Sequence, residues 1–76
     1  MEIPLSQLGN GKTARIKFLA SGFGLQRKIL ALGIRIGKNV KVVSSHRFGG
    51  PIVVEVDGMR IVIGRGMASR IIVEEL

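Results

Sequence analysis

Cysteine is absent from the sequence, and histidine occurs once, at position 46. Without cysteine the chain has no disulfide, no thiolate nucleophile and no Cys-ligated zinc, so it suits a reducing cytoplasm. His46 stands in a Ser-Ser-His-Arg-Phe-Gly-Gly segment without an acidic neighbour, whereas metal and triad sites need several convergent side chains. We therefore predict that His46 is a solvated loop residue and that the protein is not an enzyme.

Recognisable phosphate-binding motifs are also missing. Two Gly-x-Gly segments occur, at residues 22–24 and 64–66. They lack the lysine and hydroxyl spacing of a P-loop and the strand-loop-helix length of a Rossmann unit. Sharp bends in a small β protein need positive φ repeatedly, and turn formation accounts for these glycines. The sequence predicts no catalytic, cofactor-binding or metal-binding residue and no cofactor.

Long apolar runs and targeting signals are absent as well. No run approaches the roughly 20 residues that a membrane span requires, and the first residues lack the basic start and apolar stretch of a signal peptide. The 76 residues provide one modest core, because a domain of this size buries only about 60% of the surface of its unfolded chain. We expect a single domain, residues 1–76, located in the cytoplasm.

Negative charge and aromatic residues are scarce. Five Asp and Glu stand against twelve Lys and Arg, a net charge of +7, which favours a nucleic acid, an anionic membrane surface or an acidic protein as partner. Small barrels bind single-stranded nucleic acid with aromatic side chains interleaved among cations, but the chain has three Phe and no Tyr or Trp. Phe18 alternates with basic residues and is predicted to face the core, which leaves Phe23 and Phe48. Binding of RNA or DNA stays open as an alternative, on charge alone.

Five short apolar stretches separated by glycine-rich turns predict a mainly β fold. They cover residues 14–18, 40–43, 52–56, 59–63 and 71–73. Asp57-Gly58 between two β-branched runs is a type I′ turn signal and predicts a hairpin, and residues 67–69 are expected to form one helical turn. Because such short strands need closure or cover to hide their edges, the pattern favours a small, strongly bent β-barrel.

One short helix is predicted after the first strand. Leu25, Ile29 and Leu32 recur at i, i+4 and i+7 and form a stripe that faces the core. Leu30 lies about 140° from Leu25 on a helix that turns roughly 100° per residue. It is therefore either a second core contact or an exposed anchor for a partner.

The residues at both ends of this helix carry stop and start signals. Ser21 is a candidate N-cap residue, although an early one. Gly33 stands where a left-handed C′ residue would end the helix, and Ile34 can then fold back over the last turn in a Schellman motif.

The order of these segments resembles the FeoA family of small ferrous iron transport proteins. The resemblance rests on Lys-Ile-Leu-Ala-Leu-Gly-Ile at residues 28–34, Gly37, the valines of 40–43, Phe-Gly-Gly-Pro at 48–51 and the two strands joined by Asp-Gly. It covers residues 5–73. The chain departs from the family at Ile36, where many relatives place a proline, and at the glycine-rich residues 64–67. We expect the turn at Ile36 to be slightly looser.

The resemblance implies a small five-stranded barrel of the Src-homology-3 (SH3) type with one short inserted helix. Members of the family are cytoplasmic, are associated with bacterial uptake of ferrous iron and are not enzymes themselves. The resemblance further implies an accessory protein that docks on FeoB, a membrane transporter with a cytoplasmic GTP-binding domain, and modulates it. The protein would then be peripheral at the inner membrane through this partner.

Basic residues and Leu30 are the predicted partner-binding residues. The set comprises Arg27, Lys28, Leu30, Arg35, Lys38 and Lys41. Together with Arg15 and Lys17, these cations would steer the protein towards an acidic protein surface beside the anionic inner leaflet. In the alternative, the same cations contact the phosphates of RNA or DNA.

Overall fold

The computed structural model describes residues 1–20, 22–46 and 49–76. Its elements are, in chain order, β1 (Glu2–Pro4), a 3-10 turn (Leu5–Gln7), β2 (Thr13–Leu19), α1 (Phe23–Ala31), β3 (Asn39–Ser44), β4 (Ile52–Val56), β5 (Met59–Ile63), α2 (Arg65–Ala68) and β6 (Ile71–Glu75). The strands form one antiparallel sheet in the order β1-β6-β2-β3-β4-β5. Because the molecule measures 28 × 25 × 24 Å, this sheet curves around a core and does not form a flat layer.

The core consists of alternate residues of the strands together with residues from the 3-10 turn and both helices. Its buried members are Leu5, Leu8, Ala14, Ile16, Ile29, Ile34, Val40, Val42, Ile52, Val54, Val56, Ile63, Ala68, Ile71 and Val73. No polar or charged residue is buried within the described part of the chain. Burial of each Val, Leu or Ile side chain contributes roughly 1.5–3 kcal/mol, so apolar packing is the main source of stability.

The predicted mainly β, SH3-like fold with a short inserted helix is confirmed, but the sheet has six strands and not five. The additional strand is β1, which pairs with β6 through Ile3 and Val73. It is only three residues long and ends at Pro4, so its sequence carries too little alternation to be recognised. The proline lies on an edge strand, where a missing N–H removes no ladder hydrogen bond.

Two local predictions in the second half of the chain are confirmed. β4 and β5 form the expected hairpin, and both residues of its turn have positive φ, 52° at Asp57 and 78° at Gly58. That combination defines a type I′ turn. The helical turn expected at residues 67–69 is α2, which begins two residues earlier and ends one residue earlier, at Ala68, and which forms despite the glycines on both sides of Arg65.

Phe18 is not a core residue, which corrects the prediction. Ile16 pairs with Val73, and the next pair joins Phe18 to Ile72. Between these two pairs β2 has one more residue than β6. Lys17 is therefore the extra residue of a β-bulge, and the bulge reverses the inward and outward alternation. Phe18 is 44% exposed, while Leu19 packs against the core in its place.

The inner face of α1 agrees with the predicted stripe at two of its three positions. Ile29 is buried and Leu25 is half-buried, but Leu32 is 38% exposed. Leu32 is the C-cap residue, where the chain leaves the helix, and Ile34 occupies the next core position instead. The N-cap residue is Gly22; the candidate cap Ser21 lies outside the described residues.

The C-terminus of α1 forms the predicted Schellman motif. Gly33 has a φ of 88°, and its N–H donates to Leu30 O at 3.0 Å. The Ile34 N–H donates to Ile29 O at 3.4 Å. Both isoleucines are fully buried, so the motif sends the chain back into the core directly after the helix.

Candidate docking surface

Residues 22–37, here called the α1 segment, are attached to β2 at both ends. Near the start, Gln26 Nε2 donates to Leu19 O at 3.5 Å. Near the end, the Gly37 N–H donates to Ile16 O at 2.8 Å, and the Ile16 N–H donates to Lys38 O at 2.9 Å. The α1 segment therefore arches over the C-terminal half of β2, and its outer surface is held in a fixed position on the barrel.

The outer face of α1 combines apolar and cationic side chains. Phe23, Arg27 and Leu30 follow the i, i+4, i+7 pattern and lie within roughly 60° of one another at about 100° per residue. Phe23 is 85% exposed and Leu30 is 46% exposed, and Arg27 and Lys28 are exposed as well. Of the two interpretations that the sequence left open for Leu30, the structure selects exposure and excludes a buried core contact.

A tight turn follows the helix and presents two more side chains of the same kinds. The Lys38 N–H donates to Arg35 O at 3.1 Å, and Gly37 has a φ of 91°, as the third residue of a type II turn requires. Arg35 is exposed, and Ile36 at the corner of the turn is 63% exposed. The outer surface of the α1 segment thus extends from Phe23 to Ile36.

Charge is distributed unevenly over the chain, because no Asp or Glu occurs between Glu2 and Glu55. Acids from the β4–β5 turn and from β6 compensate some of the cations in this part. The ion pairs are Lys12 with Glu75 at 3.1 Å, Lys17 with Glu74 at 3.8 Å and Lys38 with Asp57 at 2.8 Å. Exposed pairs of this kind contribute little to stability, but they cancel charge locally.

The structure therefore divides the predicted partner-binding residues into two groups. Lys38 is paired with Asp57, whereas Lys41 lies on β3 outside the α1 segment, opposite Glu55 in the strand register but without an ion pair among the described residues. The other four, Arg27, Lys28, Leu30 and Arg35, share the outer surface of the α1 segment. Over residues 1–20, 22–46 and 49–76, none of the three cations among them has a carboxylate within salt-bridge distance. Arg15 lies opposite Glu74 in the register of β2 and β6, but the carboxylate of Glu74 pairs with Lys17, so one acid faces two cations of β2.

Arg65 is a structural residue that the sequence did not reveal. Its Nη2 donates to His46 O at 2.7 Å and its Nη1 to Ser6 O at 3.5 Å. Its Nε is buried and has no hydrogen-bond partner among the described residues. The guanidinium ties α2 to the 3-10 turn and to the loop after β3, and no local pattern around Gly64-Arg65-Gly66 signals such a distant contact. His46 itself is exposed in that loop, in agreement with the prediction.

A site for a small ligand needs a cluster of ligating side chains or a pocket. Within the described ranges, no group of three or more His, Cys, Asp or Glu side chains is placed to hold a metal ion, and no pocket opens. None of the helices there is long and apolar enough to cross a membrane. Of the two aromatic platforms considered for nucleic acid, Phe23 is exposed on α1, and Phe48 lies outside the described residues.

Comparisons with known proteins identify relatives over nearly the whole chain. The FeoA domain profile matches residues 3–75. A candidate Fe(2+) transport protein A from Methanocaldococcus jannaschii is 33% identical over 95% of this chain and 85% of its own length. The crystal structure of an iron uptake regulatory protein (FeoA) is 33% identical, with a TM-score of 0.91 over 100% of this chain and 99% of that one. A manganese-dependent transcriptional repressor shares the fold, with a TM-score of 0.89 at 22% identity over 99% of this chain and 42% of the repressor.

Proposed function

The chain belongs to the FeoA family, and from this premise we propose that it is a cytoplasmic accessory protein of ferrous iron uptake. In this proposal, residues 1–76 form one domain that docks on a FeoB-like membrane GTPase transporter and modulates it. The protein acts by binding and not by catalysis. The family and the name of the relative, Fe(2+) transport protein A, support a role in ferrous iron uptake. Docking on the transporter and modulation of its activity are the proposed steps.

One observation supports docking: exposed apolar side chains stand among uncompensated cations on the outer surface of the α1 segment. Arg27, Lys28 and Arg35 raise the rate of association with an acidic protein surface, because long-range attraction steers diffusional encounter. Leu30, in the middle of these cations, is then buried by the partner. Burial of such an anchor mainly lowers the dissociation rate, through which most interfaces set their affinity.

The test uses Leu30→Glu and, as a matched control, Met59→Glu. Both side chains are exposed, Leu30 by 46% and Met59 by 68%, and Met59 lies on the edge strand β5, three places from β2 in the strand order. Co-purification with the soluble cytoplasmic domain of FeoB should be lost for Leu30→Glu and retained for Met59→Glu. Thermal unfolding of both variants should stay close to that of the wild type.

Two results would count against this docking surface. If Leu30→Glu unfolds at a clearly lower temperature, Leu30 contributes to the core and its loss of binding is indirect. If Leu30→Glu folds normally and still co-purifies with the FeoB domain, the partner binds a different surface.

A further inference from the structure

We propose that the outer surface of the α1 segment also binds the headgroup region of an anionic lipid bilayer directly, without the transporter. This inference rests on the proposed function only because both assign a ligand to the same surface. It predicts that the protein gathers at the membrane on which a transporter partner lies, and reaches that partner by moving along the bilayer.

The two most exposed apolar side chains of this surface lie at its two ends. Phe23 begins α1 and is 85% exposed, and Ile36 stands at the corner of the following turn and is 63% exposed. Both ends are attached to the same half of β2, through Leu19 and Ile16. Apolar side chains on a cationic surface of this kind enter the boundary between headgroups and acyl chains, to a depth of about 5–10 Å.

The cations between these ends are free to meet lipid phosphates. Arg27, Lys28 and Arg35 are exposed, and none of them forms an ion pair with an acid among the residues that the structure describes. A Lys or Arg close to an anionic leaflet strengthens binding about fivefold. Their aliphatic stems can lie along the apolar boundary while the charged ends reach the headgroups.

The shape of the surface favours a bilayer over other polyanionic or apolar partners. No pocket opens on the described residues, and a fluid lipid layer receives protruding side chains without a preformed groove. A second copy of the chain would bring these cations against the same cations across a two-fold axis. Single-stranded RNA is bound by stacking on several aromatic platforms interleaved among cations, whereas the α1 segment offers one aromatic side chain, Phe23, beside the aliphatic Leu30 and Ile36.

The experiment is flotation of the full chain with vesicles in the absence of any transporter. Vesicles of equal parts phosphatidylcholine and phosphatidylglycerol should carry the protein, and vesicles of phosphatidylcholine alone should not. The double variant Phe23→Ser/Ile36→Ser should bind the anionic vesicles several times more weakly. The control Met59→Ser/Val62→Ser, which removes two exposed apolar side chains, 68% and 65%, from β5, should bind as the wild type does.

A second pair of variants distinguishes binding through this surface from attraction by net charge alone. Arg27→Gln/Lys28→Gln removes two charges from α1, and the control Lys41→Gln/Arg60→Gln removes two exposed charges from β3 and β5 that have no ion pair among the described residues. The first pair, on α1, should weaken binding to anionic vesicles about twenty-five-fold, two cations at roughly fivefold each, and the second pair should weaken it much less. Equal losses would show that only net charge matters and would overturn the assignment to the α1 segment.

The proposal also fails if the wild type does not float with anionic vesicles, or if it binds RNA tightly and does not bind the vesicles. These outcomes leave docking on the transporter untouched, because no transporter is present. Conversely, a wild-type protein that floats with anionic vesicles but never co-purifies with the soluble domain of FeoB supports bilayer binding and contradicts the proposed function.

Discussion

Ile36 is the second residue of the turn at residues 35–38, a position for which type II turns favour proline. The exposed fraction of its side chain is 63%, so the isoleucine contributes little to the core. Among the described residues, its N–H has no backbone acceptor. A proline at position 36 would adopt the φ angle that this position of the turn already requires, and its missing N–H would remove no backbone hydrogen bond.

Ile36→Pro should therefore stabilise the protein by about 0.4–1 kcal/mol, because it restricts the unfolded chain without straining the folded one. In a domain of this size, such a gain raises the melting temperature by a few degrees. Gly37→Ala is the control and should lower the stability, since Gly37 has a φ of 91° and alanine is strained at that angle. Thermal unfolding monitored by circular dichroism measures both variants. A fall in the melting temperature for Ile36→Pro would mean that the turn is not of type II.

At the scale of elements, two glycines of the α1 segment have opposite roles. Gly24 lies inside α1, and Gly33 follows its C-cap with a φ of 88°. A Cβ atom added at either position meets no other atom within 4 Å. Any effect of alanine at these positions therefore comes from backbone conformation and not from a clash.

Gly33→Ala should destabilise the protein by about 1–2 kcal/mol, because alanine resists the left-handed conformation. Gly24→Ala should instead stabilise it by up to about 1 kcal/mol, since alanine loses less backbone freedom in a helix. Urea unfolding gives both free energies. If Gly33→Ala proves neutral, α1 does not depend on the Schellman motif to direct the chain back into the core.

At the scale of the whole molecule, the net charge of +7 is less informative than its arrangement. The five acids lie in β1, in β4 and the turn after it, and in β6, and three of them form ion pairs with Lys12, Lys17 and Lys38. The cations of the α1 segment form no ion pair within the part of the chain that the structure describes. A partner that recognises the protein electrostatically should therefore respond to changes on this segment more than to equal changes elsewhere.

Charge reversal by Lys28→Glu/Arg35→Glu should slow association with the cytoplasmic domain of FeoB and spare dissociation, because exposed charges act mainly on encounter. Surface plasmon resonance separates the two rates at about 150 mM salt, where exposed charges are screened beyond roughly 8 Å. Binding to mixed-sequence RNA is measured in parallel. If the protein is instead a nucleic-acid binder, log K falls with log salt by about 0.7 per phosphate contact. Submicromolar binding to RNA without binding to FeoB would favour nucleic-acid binding over docking on the transporter.

Local sequence determined the elements that depend on short-range rules. Residues 52–56 and 59–63 form the hairpin strands because the Asp-Gly turn and the β-branched runs agree with each other. Gly33 and Ile34 end the helix because the Schellman motif involves only neighbours in the chain. The β-rich fold and the cationic character of the α1 segment follow from the same local information.

Tertiary structure decided what depends on distant partners. Phe18 turns outward because β2 bulges against β6, a register that β2 alone does not encode. Lys38 is paired while Arg35 is not, since the turn between β4 and β5 brings Asp57 to one and not to the other. Arg65 joins three separate parts of the chain. Alternation and spacing describe the direction of a side chain within its own element, whereas exposure and charge compensation depend on which other element lies opposite.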